Sequence, residues 1–538
     1  MKKIVFLFFL FQSFLVFSQQ DAWVYFGDKT NVQNYLNNPQ LMLSQRAIDR
    51  RTRQKIAFDS KDVPIPALYI KAVKESAGIT VMGQSKWLNA LHVRGTQADI
   101  TSLKNLAFVT KISYADKSLN TAGKTIAVSK SQQIKKKFNT AITYNYGTSA
   151  NQIQMLNGHL LHQQNYTGSG KIIAVLDAGF PGVDTQLPFK KLRDNNQILG
   201  GYNYVNRSPN YYTGDNHGTL VLSTMGGNQD QALVGTAPDA SYYLFVTEND
   251  ASENPIEETL WVEAAEKADS LGADIINSSL GYFDFDNSNY SYTYADMNGA
   301  TTFISRGAEI AFSRGMLVVA SAGNSGNTTN PNIAAPADAV SVLTIGAVTA
   351  SKSRASFSSI GPSFDGRVKP EVMAQGQASV VSDEFGNIGT ANGTSFSSPI
   401  LAGMVACLWQ ALPDKTNKEI RDLIIQSADK YLTPTPQLGY GIPDFSAAVN
   451  KGLLATIDNQ NATFSLYPNP SKGTVYITLP SVVDEVQLTI YSLLGQKIME
   501  VPFTKSTPSF SVETLRNGVY LYTIQGKSFS AQGKIIKY

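Results

Sequence analysis

The chain has 538 residues, 43% of them apolar and 16% charged, with a formal net charge of +3. That length allows several domains of roughly 100–200 residues each, and so small a charge gives no argument for nucleic acid, which is not expected as a partner. The single cysteine, Cys407, rules out an internal disulfide and a cysteine-based zinc site; its place in an apolar run makes it a small core residue.

Lys2 and Lys3 precede an apolar run from Ile4 to Phe17, closed by small Ser18. This is the pattern of a secretory signal peptide, assigned to residues 1–19. No later apolar stretch approaches the roughly 20 residues that cross a bilayer, so an exported protein without an integral membrane segment is expected. Residues 20–119 come next. Ala22–Phe26 reads as a strand and Ser44–Arg51 as a charged helix. Trp87–Val93 alternates as a half-buried strand, with a helix at Gln97–Asn105 and a strand at Ala107–Ile112. Together these predict a small α+β module. Residues 120–149 are dominated by Lys, Gln, Thr and Asn and read as an exposed linker holding a processing site.

Between 150 and 456 short apolar runs recur: Ile172–Leu176, Tyr242–Val246, Ile275–Ile276, Met316–Ala320 and Val340–Ile345. Helical stretches such as Pro255–Leu271 and Thr301–Arg314 separate them. Continuous apolar strands alternating with helices predict an α/β domain, a mostly parallel sheet covered on both faces in three layers. From 463 to 538 the pattern returns to period two, with turn signals at Asn469-Pro470, Leu494-Gly495 and Asn517-Gly518. An all-β sandwich is expected there.

The segment Asn392-Gly393-Thr394-Ser395-Phe396-Ser397-Ser398-Pro399 opens an apolar helix and sets Ser395 where the turn becomes the helix. Read alone, it is a capped helix start. A serine nucleophile needs a base, and the chain has four histidines. His92 lies in the N-terminal module. His159 and His162 stand three apart without a nearby carboxylate, which reads as a helix surface rather than a metal site. His217 lies between glycines in Gly214-Asp215-Asn216-His217-Gly218-Thr219, at a predicted helix start. Asp177 ends the buried strand that begins at Lys171, at the edge where α/β sheets gather their sites.

The order Asp177, His217, Ser395 is one of the known orders of a serine triad. Leu176-Asp177-Ala178-Gly179, the Asp215–Thr219 and Asn392–Pro399 segments, and Ala320-Ser321-Ala322-Gly323-Asn324-Ser325-Gly326 together resemble the motifs of the subtilisin-like (S8) serine peptidases. The resemblance implies a secreted endopeptidase. Ser395 would be its nucleophile, His217 its base and Asp177 the orienter, with an oxyanion hole from Asn324 and the Ser395 N–H. It also implies a substrate strand held between Ser279-Leu280-Gly281 and Ser321-Ala322-Gly323, protein or peptide substrates, no cofactor for the chemistry, and a monomer. Structural calcium stays open, because Asp284, Asp286 and Asn287 show no ordered ligand spacing. Three positions depart from the family pattern: Ala178 for a hydroxyl residue, Leu220 for a second histidine, and Gln375 for a proline.

The N-terminal module resembles the propeptides of this family, which assist folding and inhibit the enzyme until cut. At the other end, Leu466–Pro470, Thr489–Lys497 and Leu515–Tyr520 resemble the Por (type IX) secretion sorting domain of Bacteroidetes. That implies passage through the type IX machinery to the medium or outer surface. Two other readings compete: an adhesive or carbohydrate-binding β-module for the tail, and a catalytically inactive surface-binding relative for the whole chain.

Overall fold

The computed structural model describes residues 19–120, 144–460, 465–478, 485–493, 495–504, 509–526 and 530–538. The signal-peptide reading and most of the linker reading fall outside these residues. The chain forms two compact units, Met1–Val449 and Asn450–Tyr538.

The first unit is built on a seven-stranded sheet. Its order is Val372–Gln375, Leu343–Val348, Leu317–Ser321, Ile275–Ser278, Ile172–Asp177, Ser241–Val246 and Ile198–Asn203. Every neighbouring pair is parallel. The five apolar runs of the sequence fall on its inner strands, four of them buried throughout and Ser241–Val246 mostly so, because helices cover both faces; the last run begins early, at exposed Val340, ahead of the strand Leu343–Val348. The edge strand Ile198–Asn203 escapes that reading; it is only partly buried and is interrupted by Gly200 and Gly201.

The helix Thr394–Ala411 runs through the core against the strands Ile275–Ser278, Leu317–Ser321 and Leu343–Val348. Only Gln410 among its residues escapes burial. Pro399 has no N–H to donate to the Ser395 carbonyl four residues back. That carbonyl instead accepts the Ser279 hydroxyl at 2.9 Å. The proline thus ties the helix start to the end of a neighbouring strand.

The N-terminal module is a four-stranded antiparallel sheet in the order Thr80–Ser85, Ala90–Thr96, Gln19–Phe26, Val109–Tyr114. Alternation along the strands sends Ala22, Val24, Leu91 and Val93 to one face. There they pack with Val73, Ile100 and Leu103. Trp23 faces the other way and stacks on Phe303 at 5.0 Å between ring centroids. The strand at 90–96 is therefore buried on both faces, not half-buried as its pattern suggests. Polar His92 can be buried because its ring nitrogens contact Asp21 at 3.0 Å and Thr259 at 2.9 Å. Trp87 lies in the preceding turn rather than in the strand.

The second unit carries two antiparallel sheets, Ser465–Tyr467/Thr474–Thr478/Ser509–Ser511 and Lys497–Thr504/Glu485–Tyr491/Gly518–Gln525/Ser530–Lys537. Inward residues such as Val475, Leu488, Ile490, Phe503 and Ile524 form one core between them, as the period-two pattern requires.

Candidate active site

Asp177 closes its strand with a fully buried side chain. Its Oδ1 accepts the Ala178 N–H at 2.8 Å and lies 2.6 Å from His217 Nδ1. His217 begins the helix His217–Gly226, and its backbone N–H donates to Asp215 at 2.8 Å, an anchor within the same turn. Gly218 permits this approach, since a Cβ there would stand 2.3 Å from the Gly179 carbonyl and 3.0 Å from the Asp177 Cβ. Burial pulls the imidazole pKa down. The charge and hydrogen bond of Asp177 more than offset this and hold it above its ordinary value.

Ser395 is the second residue of its helix and 8% exposed. Its hydroxyl donates to the Ser279 carbonyl at 3.2 Å. Among the described residues it makes no hydrogen bond to His217, although the His217 ring lies 6.0 Å from that of Phe396, the next residue. Catalytic hydrogen bonds are often loose until substrate arrives. A polar chain fixes the segment from below: Ser398 donates to Asn277 at 3.1 Å, Asn277 to the Ser279 hydroxyl at 3.1 Å, and Ser279 to the Ser395 carbonyl.

Asn324 follows the strand Leu317–Ser321. Its Oδ1 accepts the Thr394 N–H at 2.8 Å and the Thr394 hydroxyl at 3.0 Å. Two donors on one side dictate which way the amide faces, so Nδ2 points away from them. A Cβ built on Gly393 would stand 3.6 Å from both Asn324 Nδ2 and Ser395 N. Glycine at 393, with φ 154°, keeps empty a point that is equally 3.6 Å from the Phe396 ring and lies beside two donors, one of them an orphan N–H of the helix start. Sequence reasoning singled out this segment but missed the parts played by Gly393 and Thr394. Gly-Thr ahead of a serine at a helix start was the available signal.

Ser279, Leu280 and Gly281 line a cavity of about 280 Å³ with His217, Asp215 and Tyr282. Tyr282 and Ala335 exchange backbone hydrogen bonds of 2.8 and 3.2 Å, which aligns the segment. Ser321 donates to the Leu280 carbonyl at 3.4 Å, so the strand ends carrying Ser279–Gly281 and Ser321–Gly323 meet. Gly323, at φ 102°, donates its N–H to the Thr394 hydroxyl at 3.2 Å. One wall is acidic. Burial pushes Glu248 up to about 8, and it accepts hydrogen bonds from Tyr282 and Thr247.

His162 does not lie on a surface. It is buried, with its ring nitrogens engaged by the Tyr146 hydroxyl at 2.8 Å and the Thr236 carbonyl at 3.0 Å; burial lowers it to about 4. Among the described residues no group of three His, Cys, Asp or Glu could hold a metal. Of the three departures, Gln375 has a structural account: its side chain accepts from Asn151 at 2.6 Å and donates to the Ala378 carbonyl at 3.1 Å.

Comparison with known proteins gives three family matches. A profile described as the subtilase family matches residues 168–442. One for the peptidase S8 propeptide domain of Bacteroidota matches 21–136, and one for a secretion system C-terminal sorting domain matches 465–538. The chain is 32% identical over 300 residues to Subtilisin NAT of Bacillus subtilis subsp. natto, covering 55% of this chain and 70% of that protein. Subtilisin E of Bacillus subtilis (strain 168) gives the same identity and coverage. Subtilisin of Bacillus pumilus is 31% identical over 300 residues, 55% of this chain and 97% of that protein.

Proposed function

The chain belongs to the subtilase family, and on that premise we propose that Asp177, His217 and Ser395 are the triad of this serine endopeptidase, working through an acyl-enzyme. The protein carries an S8 propeptide and a type IX sorting domain, so it is made as a zymogen and is secreted or displayed at the cell surface. We assign residues 20–119 to the propeptide module, 120–149 to the linker that is cut, 150–456 to the catalytic domain and 463–538 to the sorting domain.

His217 takes the Ser395 proton as Oγ attacks a peptide carbonyl. Asp177 keeps the imidazole in the tautomer that presents Nε2 and stabilises the imidazolium. The tetrahedral oxyanion enters the point beside Gly393, between Asn324 Nδ2 and Ser395 N. His217 then returns its proton to the leaving amine, and water repeats the sequence on the ester. An extended peptide pairs with Ser279–Gly281 on one side and Ser321–Gly323 on the other.

The observation that carries this reading is the empty point 3.6 Å from both donors, on the segment that holds Ser395, with Asp177 and His217 joined at 2.6 Å. The test is Ser395→Ala, which should abolish peptide hydrolysis and leave the module uncut. A fluorophosphonate probe should label Ser395 only while His217 is intact. An inactive binding relative would take no label, and that result would reject the proposal.

A further inference from the structure

The cavity beside His217 is walled by carboxyl groups with no lysine or arginine among them. Asp215, Glu248, Asp250, Glu253 and Glu257 line it, together with Ser279–Gly281, the segment assigned above to the substrate strand. Among the described residues the only basic one on its lining is His217, which is joined to Asp177.

The wall is held in place. Glu257 accepts the Asn249 N–H at 2.7 Å and the Asn254 N–H at 2.9 Å, which pins the loop ahead of the helix Ile256–Leu271. Glu248 accepts from the Thr247 hydroxyl at 2.8 Å and from the hydroxyl of Tyr282, the residue after Gly281, so it stands against the substrate segment. Glu253 has no such tie. Its backbone N–H donates to Asp286 at 3.1 Å, but among the described residues its carboxylate accepts no hydrogen bond. Burial pushes Glu248, Glu253 and Glu257 each up to about 8, and their mutual repulsion adds to this. A cation entering the cavity relieves that repulsion and gives Glu253 a donor; a neutral or acidic side chain does neither. Among the described residues the carboxyl groups do not converge as metal ligands do. A long side chain with its charge at the tip suits the place, and that describes lysine and arginine.

The chain itself contains such a substrate. Residues 120–149, the linker that is cut in the reading above, carry Lys124, Lys130, Lys135, Lys136 and Lys137 and no Asp or Glu. The propeptide profile ends at residue 136, inside the lysine triplet.

We propose that the wall of Glu248, Glu253 and Glu257 selects lysine or arginine close before the cut bond, and that the peptidase cuts its own linker just after Lys135-Lys136-Lys137. The proposal rests on the peptidase reading above. The Ser395 hydroxyl donates to the Ser279 carbonyl, so Ser279 lies at the cut bond and Leu280–Tyr282 lead away from it along the wall. The selected side chain therefore belongs to a residue near the cut bond, on the part of the substrate that this segment holds, and the extended chain turns its alternate side chains to the wall.

The test uses the processed enzyme on fluorogenic peptides that differ only by lysine, glutamine or glutamate at each of about four positions before the cut bond. At one of them lysine should raise kcat/KM over glutamine by about tenfold or more, and glutamate should lower it. Glu253→Gln should shrink the lysine-to-glutamine ratio by about tenfold, and Glu253→Lys should turn the preference toward glutamate. Equal rates for lysine and glutamine at every position, or a ratio that neither variant moves, would overturn the proposal. Mass spectrometry of the processed chain should place its first residue within about four positions of Lys137. Replacing Lys135, Lys136 and Lys137 by glutamine should slow processing by about tenfold; processing at the wild-type rate would also overturn the proposal. No hydrolysis of any peptide speaks against the Ser395 assignment, whereas hydrolysis without a lysine preference overturns this proposal alone.

Discussion

The proposed oxyanion hole gives a graded prediction. Asn324→Ala removes the Nδ2 donor, and loss of one such donor costs about 2.7–4 kcal/mol, or about 10²–10³ in kcat, with KM little changed. Thr394→Val acts one step back. It removes the hydroxyl bond to Asn324 Oδ1 at 3.0 Å and the acceptor of the Gly323 N–H at 3.2 Å, but keeps the backbone N–H bond to Asn324 at 2.8 Å. The amide stays oriented by one donor instead of two, so about 1 kcal/mol, or about fivefold in kcat, should be lost. Asn324→Asp separates donor loss from disturbance of the helix start. It still accepts from Thr394, yet it sets a negative charge beside the oxyanion, so it should lose at least as much as alanine. The assay is kcat and KM on a chromogenic peptide, with active-site titration to count competent enzyme. A loss below about tenfold for Asn324→Ala, or equal losses for Asn324→Ala and Thr394→Val, would refute the reasoning.

Gly393→Ala should place its methyl between the two donors and lower kcat by about 10² or more in protein that still melts cooperatively; an unchanged kcat would move the oxyanion elsewhere. As the proposed base, His217 must be neutral to act, and Asp177 raises it, so activity should fall as pH drops through a value above the ordinary ~6.5 of imidazole. In Asp177→Asn the raising charge is gone; the acid limb of kcat/KM should move to lower pH, with kcat down about 10⁴. A limb that stays in place would reject the His217 assignment. Removing residues 463–538 should leave peptide hydrolysis intact, since Asn450–Tyr538 is a separate compact unit, while ending appearance outside the cell; immunoblots of medium and periplasm decide this.

The inner strands were legible because a parallel strand covered on both faces is apolar throughout, and Ile172–Asp177 carries that signal without help from the rest of the chain. The order and small neighbours of Asp177, His217 and Ser395 pointed to one site, and the structure joins the first two at 2.6 Å while Ser395 bonds the Ser279 carbonyl instead. Thr394 and Gly393 were not legible, because their parts depend on Asn324, 70 residues from Thr394 in sequence, and no local pattern records that approach. The strand Thr80–Ser85 was missed for a related reason. Its sequence, Thr-Val-Met-Gly-Gln-Ser, lacks a clean alternation, and its buried positions Gly83 and Ser85 are small residues lying against the helix Ile256–Leu271.

The helix Gln45–Arg53 shows why charge misleads most at an interface. Three basic residues in its last turn made it a charged helix in the sequence, and arginine is rarely buried unless paired. Yet Arg50 and Arg51 are 1% and 0% exposed. Their partner Asp269 comes from a helix more than 200 residues away, and Asp62 from the loop that follows their own helix. Burial lowers the Arg50 pKa, whereas Asp269 and Asp62 on either side of Arg51 more than offset burial and raise it. Such a cluster is tolerable only when all its members arrive together, because a buried charge without its partner costs about 3–5 kcal/mol. A catalytic body folding alone would hold Glu266, Asp269 and Arg314 in water beside the apolar face that Trp23 and Trp87 cover. The module supplies the missing half of that core and the missing partners of those charges at once.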